Sequence, residues 1–144
     1  MPSQRALSNQ RGFTLLEIII VLIIIGVLTG LAAPRFFNTI EYSRSVEAIQ
    51  SIRVIAEAIE RCATWSGGIY IDCTGGDFNV LDIPNPEESP GSHFSYIFAP
   101  SDRYVITAIR NTQDGGTAGD LIIYNYISTG FQRWGTGAFE GLSN

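Results

Sequence analysis

The sequence from Arg11 to Pro34 reads RGFTLLEIIIVLIIIGVLTGLAAP and determines the first element of the fold. Between Leu15 and Ala33 the only ionisable side chain is that of Glu17. As a helix, the apolar run from Phe13 to Ala33 would extend roughly 31 Å at about 1.5 Å per residue, which matches a bilayer core of about 30 Å. The apolar core of a secretory signal is shorter, so the stretch predicts a membrane-spanning helix.

Charges on the two sides of this run predict its orientation. Arg5 and Arg11 are the only charged residues before the run. Because positively charged flanks stay on the cytoplasmic side of a membrane, we expect the leader inside and the C-terminal part exported. The sequence therefore predicts a membrane-anchored protein with an exported domain.

Composition limits the partners of that domain. The chain has 144 residues, which suits one domain with an appended segment, and it carries nine arginines, no lysine and a pI near 4.7. Six of the arginines lie in residues 1–61 beside five acids, whereas residues 62–144 hold three arginines and nine acids, giving +1 and −6. Nucleic-acid binding needs a basic face, so no nucleic-acid partner is predicted.

After Pro34 the pattern becomes that of an amphipathic helix. Apolar residues recur at spacings of 4, 3, 4 and 3 at Ala48, Ile52, Ile55, Ile59 and Cys62. This is the period of a helix with one buried stripe, and fewer than three clean heptads disfavour a coiled coil. We expect one helix from about Thr14 to Ala63, with the stripe packed under a sheet.

Short strands are predicted after Gly67 and Gly68, which end the helix. The β-branched and aromatic content favours strands at Tyr104–Arg110 and Leu121–Ile127, and alternation favours one at Phe94–Ala99. Shorter candidates are Ile69–Asp72, Phe78–Ile83 and Phe131–Trp134. A helix followed only by consecutive short strands predicts an α+β fold with an antiparallel meander packed on the helix.

The two cysteines lie at the predicted helix end and in the first loop. In an exported domain, Cys62 and Cys73 are expected to form a disulfide, with free thiols as the alternative. Two cysteines and one histidine do not complete a structural zinc site without acidic help.

Motifs of enzymes are missing from the sequence. His93, the only histidine, has no triad-like companion motif, and no Walker-type loop or G-x-S-x-G motif occurs. Asp114 and Asp120 flank a Gly-rich loop that could hold Ca²⁺ through oxygen ligands, but no EF-hand pattern is present, and solvated turn aspartates are the favoured interpretation. We therefore expect a protein that is not an enzyme and has no cofactor, with Ca²⁺ as the one candidate ligand.

Glu17 requires an explanation, because a carboxylate inside a membrane helix costs about 2.5–3.5 kcal/mol on insertion scales. Together, Arg11, Gly12, Phe13, Glu17 and the apolar run resemble the prepilin signature of the type IV filament superfamily, which includes type IV pilins and type II secretion pseudopilins. Pro34 strengthens the resemblance, since many members carry a proline 21 residues after the aromatic residue. The similarity is tight from Arg11 to about Phe37 and loose to about Cys62.

The resemblance implies processing and a role for Glu17. A prepilin peptidase would cut between Gly12 and Phe13 and methylate the new α-amine of Phe13. In a filament, the Glu17 carboxylate would approach the amine of Phe13 in a neighbouring subunit, so that each charge compensates the other. Without a filament, Glu17 would be an interface residue that snorkels or is protonated.

Small residues in the second half of the apolar run indicate close helix packing. Gly26 and Gly30, with Ala32 and Ala33, would let another helix approach, and with Pro34 they weaken the helical hydrogen bonding. In related filaments this stretch can lose helicity on assembly. Alternatively, Pro34 only kinks the helix where it leaves the membrane.

The resemblance also implies the organisation of the chain and its partners. It predicts a type IV pilin-like α+β fold with a leader peptide at 1–12, a transmembrane and filament-core helix at 13–33, an amphipathic spine helix at 34–64 and an exported antiparallel β head domain at 65–144. The implied partners are other copies of the chain as a homopolymer, minor pilins or pseudopilins, the prepilin peptidase and the inner-membrane assembly platform. The implied location is the bacterial inner membrane, with a single span and the head in the periplasm or exterior, and then an extracellular or periplasmic filament. Many pilins place their disulfide in a C-terminal loop, so Cys62 and Cys73 depart from that pattern.

Two classes of function follow. The first is a structural subunit of a type IV filament, with pilus and pseudopilus equally compatible with the sequence. The second is a membrane-anchored, exported ligand-binding module that does not polymerise. The cleavage motif discriminates between them, because a simple anchor needs neither Gly12 before Phe13 nor Glu17 in the bilayer.

Overall fold

A single long helix is the first element of the structure, a computed structural model that describes residues 12–142. Helix α1 spans Leu15–Trp65 and is continuous through Pro34. Beyond Trp65, the N–H of Gly68 donates to the carbonyl of Ala63 (2.7 Å), and Gly67 has φ of 73°. This is the terminal hydrogen bond of a Schellman motif, which needs a left-handed residue, and it explains why the helix ends at the glycine pair.

Four strands follow in an antiparallel meander. They are β1 (Phe94–Pro100), β2 (Tyr104–Arg110), β3 (Leu121–Ile127) and β4 (Gly130–Gly135), in the spatial order β1-β2-β3-β4. The predicted α+β fold is confirmed. The ends of β2 and β3 are those expected from the sequence, whereas β1 is one residue longer and β4 extends one residue further at each end.

The core lies between one face of this sheet and the apolar stripe of α1. On the helix, Ala48, Ile52, Ile55 and Ile59 are fully buried. Alternate residues of β2 point toward them, with Tyr104, Ile106 and Ala108 at 0% exposure, and Ile122 of β3 extends the layer. Apolar side chains that recur every 3.6 residues on the helix and every 2 residues in the strands therefore form one hydrophobic layer.

The segment between α1 and β1 corrects two sequence predictions. Ile69–Asp72 and Phe78–Ile83 were expected as strands, but they form a short 3₁₀ helix at Ile71–Cys73 and a series of turns. The physical reason is local hydrogen bonding: the N–H of Leu81 donates to the carbonyl of Phe78, and that of Asp82 to the carbonyl of Asn79. Backbone groups satisfied in this way are not available to a sheet.

Further 3₁₀ helices lie at Pro86–Glu88, Gln113–Gly115 and Gly137–Leu142. The chain divides into two compact units, one that ends at Phe37 and one that begins at Asn38. The second unit contains the rest of α1 and the whole sheet. We call the second unit the head.

Candidate assembly site

The start of α1 is built by a side-chain cap. The Oγ1 atom of Thr14 accepts a hydrogen bond from the backbone N–H of Glu17 (3.2 Å), and the carbonyl of Thr14 accepts from Ile18 (3.3 Å). Thr14 is thus the N-cap residue, with Glu17 three positions later, the spacing of a capping box. The cap places the Glu17 carboxylate in the first helical turn, where the helix dipole favours a negative charge.

The apolar side chains that follow are exposed around the whole helix. Phe13 is 80% exposed, Leu15 is 77% exposed, and the large apolar residues from Ile18 to Leu31 lie between 43% and 72%. This part of α1 is long and apolar enough to cross a membrane by length and composition. An aqueous solvent would not tolerate a surface of this size, so the segment requires lipid or protein around it.

Gly26 and Gly30 lie one turn apart on this exposed segment. A Cβ atom added at either position would contact nothing within 4 Å in the described chain. The missing side chains therefore serve no packing within the subunit, and they leave the backbone open to another helix. Pro34 lies four residues after Gly30, within the uninterrupted helix.

The predicted cysteine pair is a disulfide in the structure. Cys62, on the last turns of α1, is bonded to Cys73, which is 1% exposed. Near this bridge the Glu60 carboxylate accepts hydrogen bonds from Tyr70 (2.8 Å) and Tyr104 (3.0 Å). Burial raises the pKa of Tyr104, and the hydrogen bond to Glu60 raises that of Tyr70. Together, the disulfide and Glu60 hold the loop after α1 against the helix.

A buried ion pair in the head was not predicted from the sequence. Arg110, the last residue of β2, is 1% exposed, and its Nε and Nη2 donate to the two carboxylate oxygens of Glu41 (2.8 and 3.1 Å). The remaining donors of Arg110 bind the carbonyls of His93, Asn111 and Gln113. The hydrogen bond from Arg110 lowers the pKa of Glu41. The pair fixes the end of β2 and the following loop to α1.

The calcium candidates are engaged by protein groups. Asp114 Oδ2 lies 2.9 Å from His93 Nε2, and Asp120 Oδ2 accepts from the N–H of Ala138 (3.1 Å). Within residues 12–142, no group of three or more His, Cys, Asp or Glu side chains could hold a metal ion. His93 also contacts Glu47, at 2.7 Å from Nδ1. Its partners are 46 and 21 residues away in sequence, so no local spacing could have predicted this cluster.

An open groove of about 600 Å³ lies between α1 and the sheet. Its walls carry charges of both signs, from Arg53, Arg61, Glu57 and Glu60, and its floor includes Tyr104 and Tyr126. The two tyrosine rings stack at 4.6 Å between centroids. Within the groove, the hydroxyl of Tyr104 donates to the carboxylate of Glu60 (3.0 Å).

Comparison with known proteins gives one family match, at the N-terminal end, and several relatives that align with part of the chain. Residues 7–33 match the family described as the prokaryotic N-terminal methylation motif. Prepilin peptidase-dependent protein D of Escherichia coli (strain K12) is 32% identical over 80 residues, which cover 56% of this chain and 52% of the relative. Type II secretion system core protein G of the same organism is 41% identical over 56 residues, 39% of each chain.

A third relative is the type IV major fimbrial protein FimA of Dichelobacter nodosus, which is 37% identical over 78 residues, 52% of this chain and 49% of the relative. The matches thus span about half or less of the length of these curated relatives. No solved structure matches the chain at a significant level.

Proposed function

We propose, from the premise that the chain belongs to the superfamily of type IV pilins and type II secretion pseudopilins, that it is a structural subunit of a type IV filament. One observation carries the proposal: a cleavage and methylation motif stands directly before a helix segment whose apolar side chains are exposed on every side. A membrane anchor explains the apolar surface alone. Only assembly also accounts for the motif and for the carboxylate of Glu17 within the apolar segment.

The exposed segment would serve in two environments. Before assembly, residues 13–33 would lie in the inner membrane, and the head would face the periplasm or the exterior. During assembly, the same side chains would exchange lipid contacts for contacts with other helices in the filament core. Gly26 and Gly30 support this step, because their open faces allow the close backbone approach that membrane helix pairs use.

Processing would create the partner of Glu17. Cleavage between Gly12 and Phe13 by a prepilin peptidase leaves an α-amine at Phe13, four residues before Glu17. In the filament this carboxylate would lose its water, and the α-amine of a neighbouring Phe13 would supply the compensating charge. A buried charge that loses its partner costs about 3–5 kcal/mol, so the pair would select one register of docking between subunits.

The division of the chain follows from this function. Residues 1–12 would be the leader, 13–33 the membrane and filament-core helix, 34–64 the amphipathic spine helix and 65–144 the exported antiparallel β domain. Further partners would be minor pilins or pseudopilins and the inner-membrane assembly platform. Both a pilus and a type II secretion pseudopilus fit these features.

A test compares two carboxylates of the same helix. Glu17→Gln should leave a processed, membrane-inserted subunit with a folded head but reduce the yield of sheared filaments at least tenfold, as expected for a lost buried charge pair. Glu57→Gln removes an exposed carboxylate of the head portion of α1 and should assemble normally. Membrane fractionation, intact mass and electron microscopy supply the readouts. Normal filament yield from Glu17→Gln would contradict the charge-pairing role.

The lack of lysine offers a second readout. After cleavage, the α-amine of Phe13 would be the only amine of the chain, because the basic side chains are arginine guanidinium groups and one histidine imidazole. Reductive methylation followed by mass spectrometry should add one methyl group to an N-methylated subunit dispersed in detergent and none to a subunit inside intact filaments. Equal labelling in both states would show that the amine is not buried by assembly.

The groove between α1 and the sheet supports the second candidate function, an anchored ligand-binding module that does not polymerise. That function predicts an uncleaved chain in the membrane, with Met1–Gly12 still present, and no filaments under any expression level. Intact mass of the membrane-extracted protein therefore separates the two candidates.

A further inference from the structure

His93 joins two parts of the head that are far apart in sequence. It directly precedes β1, and its ring Nδ1 lies 2.7 Å from Oε2 of Glu47 on α1. The other ring nitrogen, Nε2, lies 2.9 Å from Oδ2 of Asp114 in the loop between β2 and β3. The imidazole therefore bridges this loop to the helix through two carboxylates.

Only the protonated imidazole satisfies both contacts. A carboxylate accepts hydrogen bonds, a neutral imidazole has one N–H, and an imidazolium has two. The second oxygen of Glu47 already accepts the backbone N–H of His93 (3.0 Å), which fixes that carboxylate in place. When the ring loses its proton, one ring lone pair must face a carboxylate oxygen, and one of the two contacts is lost.

The other charged groups around His93 keep their charge near neutral pH. Arg44 lies 3.7 Å from Asp114 Oδ2, Arg110 Nη1 donates to the carbonyl of His93 (3.1 Å), and both arginines bind Glu41. Guanidinium groups do not titrate in this range. The hydrogen bond from His93 lowers the pKa of Asp114, so this carboxylate stays ionised at mildly acidic pH. Imidazole is the group that changes charge between pH 5 and 8.

The backbone of Asp114 gives the contact a mechanical consequence. Its φ is 52°, a left-handed value that residues other than glycine seldom adopt. Arg110 holds the preceding residue, Gln113, through its carbonyl (2.8 Å). Asp114 itself is tethered by His93 through its side chain and by Arg44 through its side chain and its carbonyl (3.4 Å), so losing the imidazole contact removes one of three tethers and loosens residues 114–116.

We propose that His93 is a pH-sensitive latch, which in its protonated form holds residues 114–116 of the β2–β3 loop against α1. The latch is closed while the imidazole carries both ring protons and Asp114 is ionised. It opens when the ring loses one of these protons. This device belongs to the head and does not depend on filament assembly.

Titration of the full-length, ¹⁵N-labelled chain in detergent micelles between pH 5 and 8.5 tests the latch. His93 is the only histidine, so its ring protons report the charge directly. The amide signals of Gly115 and Gly116 should move with the same midpoint as the ring protons. Above that midpoint, the Gly116 amide, which donates to the Gln113 carbonyl (3.2 Å), should exchange about fivefold faster after correction for intrinsic exchange.

Two matched variants separate the latch from a general effect of pH. Asp114→Asn removes the loop carboxylate and should abolish the step at Gly115 and Gly116 while His93 still titrates. Asp102→Asn removes an exposed carboxylate from the β1–β2 turn, where it accepts from the N–H of Ser128 (2.8 Å), and should leave the step unchanged. Glycine amides that stay constant while the imidazole titrates, or a step that persists in Asp114→Asn, would overturn the proposal.

Discussion

The two halves of α1 differ in charge and in surroundings: the first half carries two charged residues and the second carries seven. In the first half, Ile24 and Ile25 are 52% and 54% exposed, and apolar side chains point in every direction. In the second half, Ile52, Ile55 and Ile59 are completely buried under the sheet, and the exposed faces include the charged residues Arg53, Glu57 and Arg61. One continuous helix therefore carries one segment whose partner is inside the subunit and one whose partner is outside it.

The two sequence patterns specify different surroundings for the helix. A stripe with a helical period specifies a single buried face, and the chain itself supplies the sheet that covers it. An apolar surface on all sides specifies a surrounding medium rather than a face, as in a membrane or a bundle of helices. We therefore expect substitutions in the second half of α1 to change the stability of the head, and substitutions in the first half to change assembly instead.

The largest expected effect comes from shortening matched isoleucines in the two halves. Ile55→Ala should lower the free energy of unfolding of the head by about 3 kcal/mol, because it leaves a cavity in a packed core. Ile24→Ala should change it by less than about 0.5 kcal/mol, because an exposed site loses no packing. Urea unfolding of the full chain in detergent micelles, followed by near-ultraviolet circular dichroism, measures both. Similar losses of unfolding free energy from the two substitutions would show that the two halves of α1 contribute equally to the stability of the head.

Elements with strong local patterns could be predicted from the sequence. The glycine pair at Gly67 and Gly68 predicts the end of α1, and β-branched and aromatic content predicts the bounds of β2 and β3. The segment between Ile69 and Ile83 could not be predicted, because its apolar residues allow a strand while its turns are set by local hydrogen bonds and by the loop that the disulfide closes.

The candidate assembly site could be predicted from the sequence, whereas the buried ion pair of the head could not. The motif at Gly12, Phe13 and Glu17 is contiguous, so the sequence alone points to it. Arg110 and Glu41 are 69 residues apart in sequence. They form an ion pair only because the fold brings the end of β2 to the part of α1 that contains Glu41. The one signal in the sequence for this ion pair is an arginine at the end of a predicted buried strand, because a buried charge without a partner is unfavourable.

The next effect in size comes from breaking that buried pair. Glu41→Gln should destabilise the head by about 2 kcal/mol at pH 7, because the guanidinium of Arg110 loses its counter-charge while the amide keeps part of the hydrogen bonding. The pKa of Glu41 is lowered in the folded state, so its contribution is complete above the ordinary value of 4.5 and is lost as pH falls through the folded-state pKa. The gap between wild type and Glu41→Gln should therefore close in acid.

Unfolding of both proteins at several values from pH 7 down to pH 3 checks this dependence, with Glu57→Gln as the control for loss of an exposed carboxylate on the same helix. A constant gap across the range would mean that the charge of Glu41 does not stabilise the fold.

The smallest effect concerns the first turn of α1, in the half that the head does not need. Thr14→Ala removes the hydroxyl that accepts from the Glu17 N–H, and an N-cap of this kind contributes about 1 kcal/mol to the local helix. The Glu17 amide should then exchange about fivefold faster in detergent micelles, and Thr14→Ser, which keeps the hydroxyl, should restore the wild-type rate. Unfolding of the head should not change in either variant, because the cap lies outside the second unit of the chain. A loss of head stability in Thr14→Ala would show that the two halves of α1 are energetically coupled, whereas unchanged exchange at Glu17 would mean that the cap does not hold the carboxylate in the first turn.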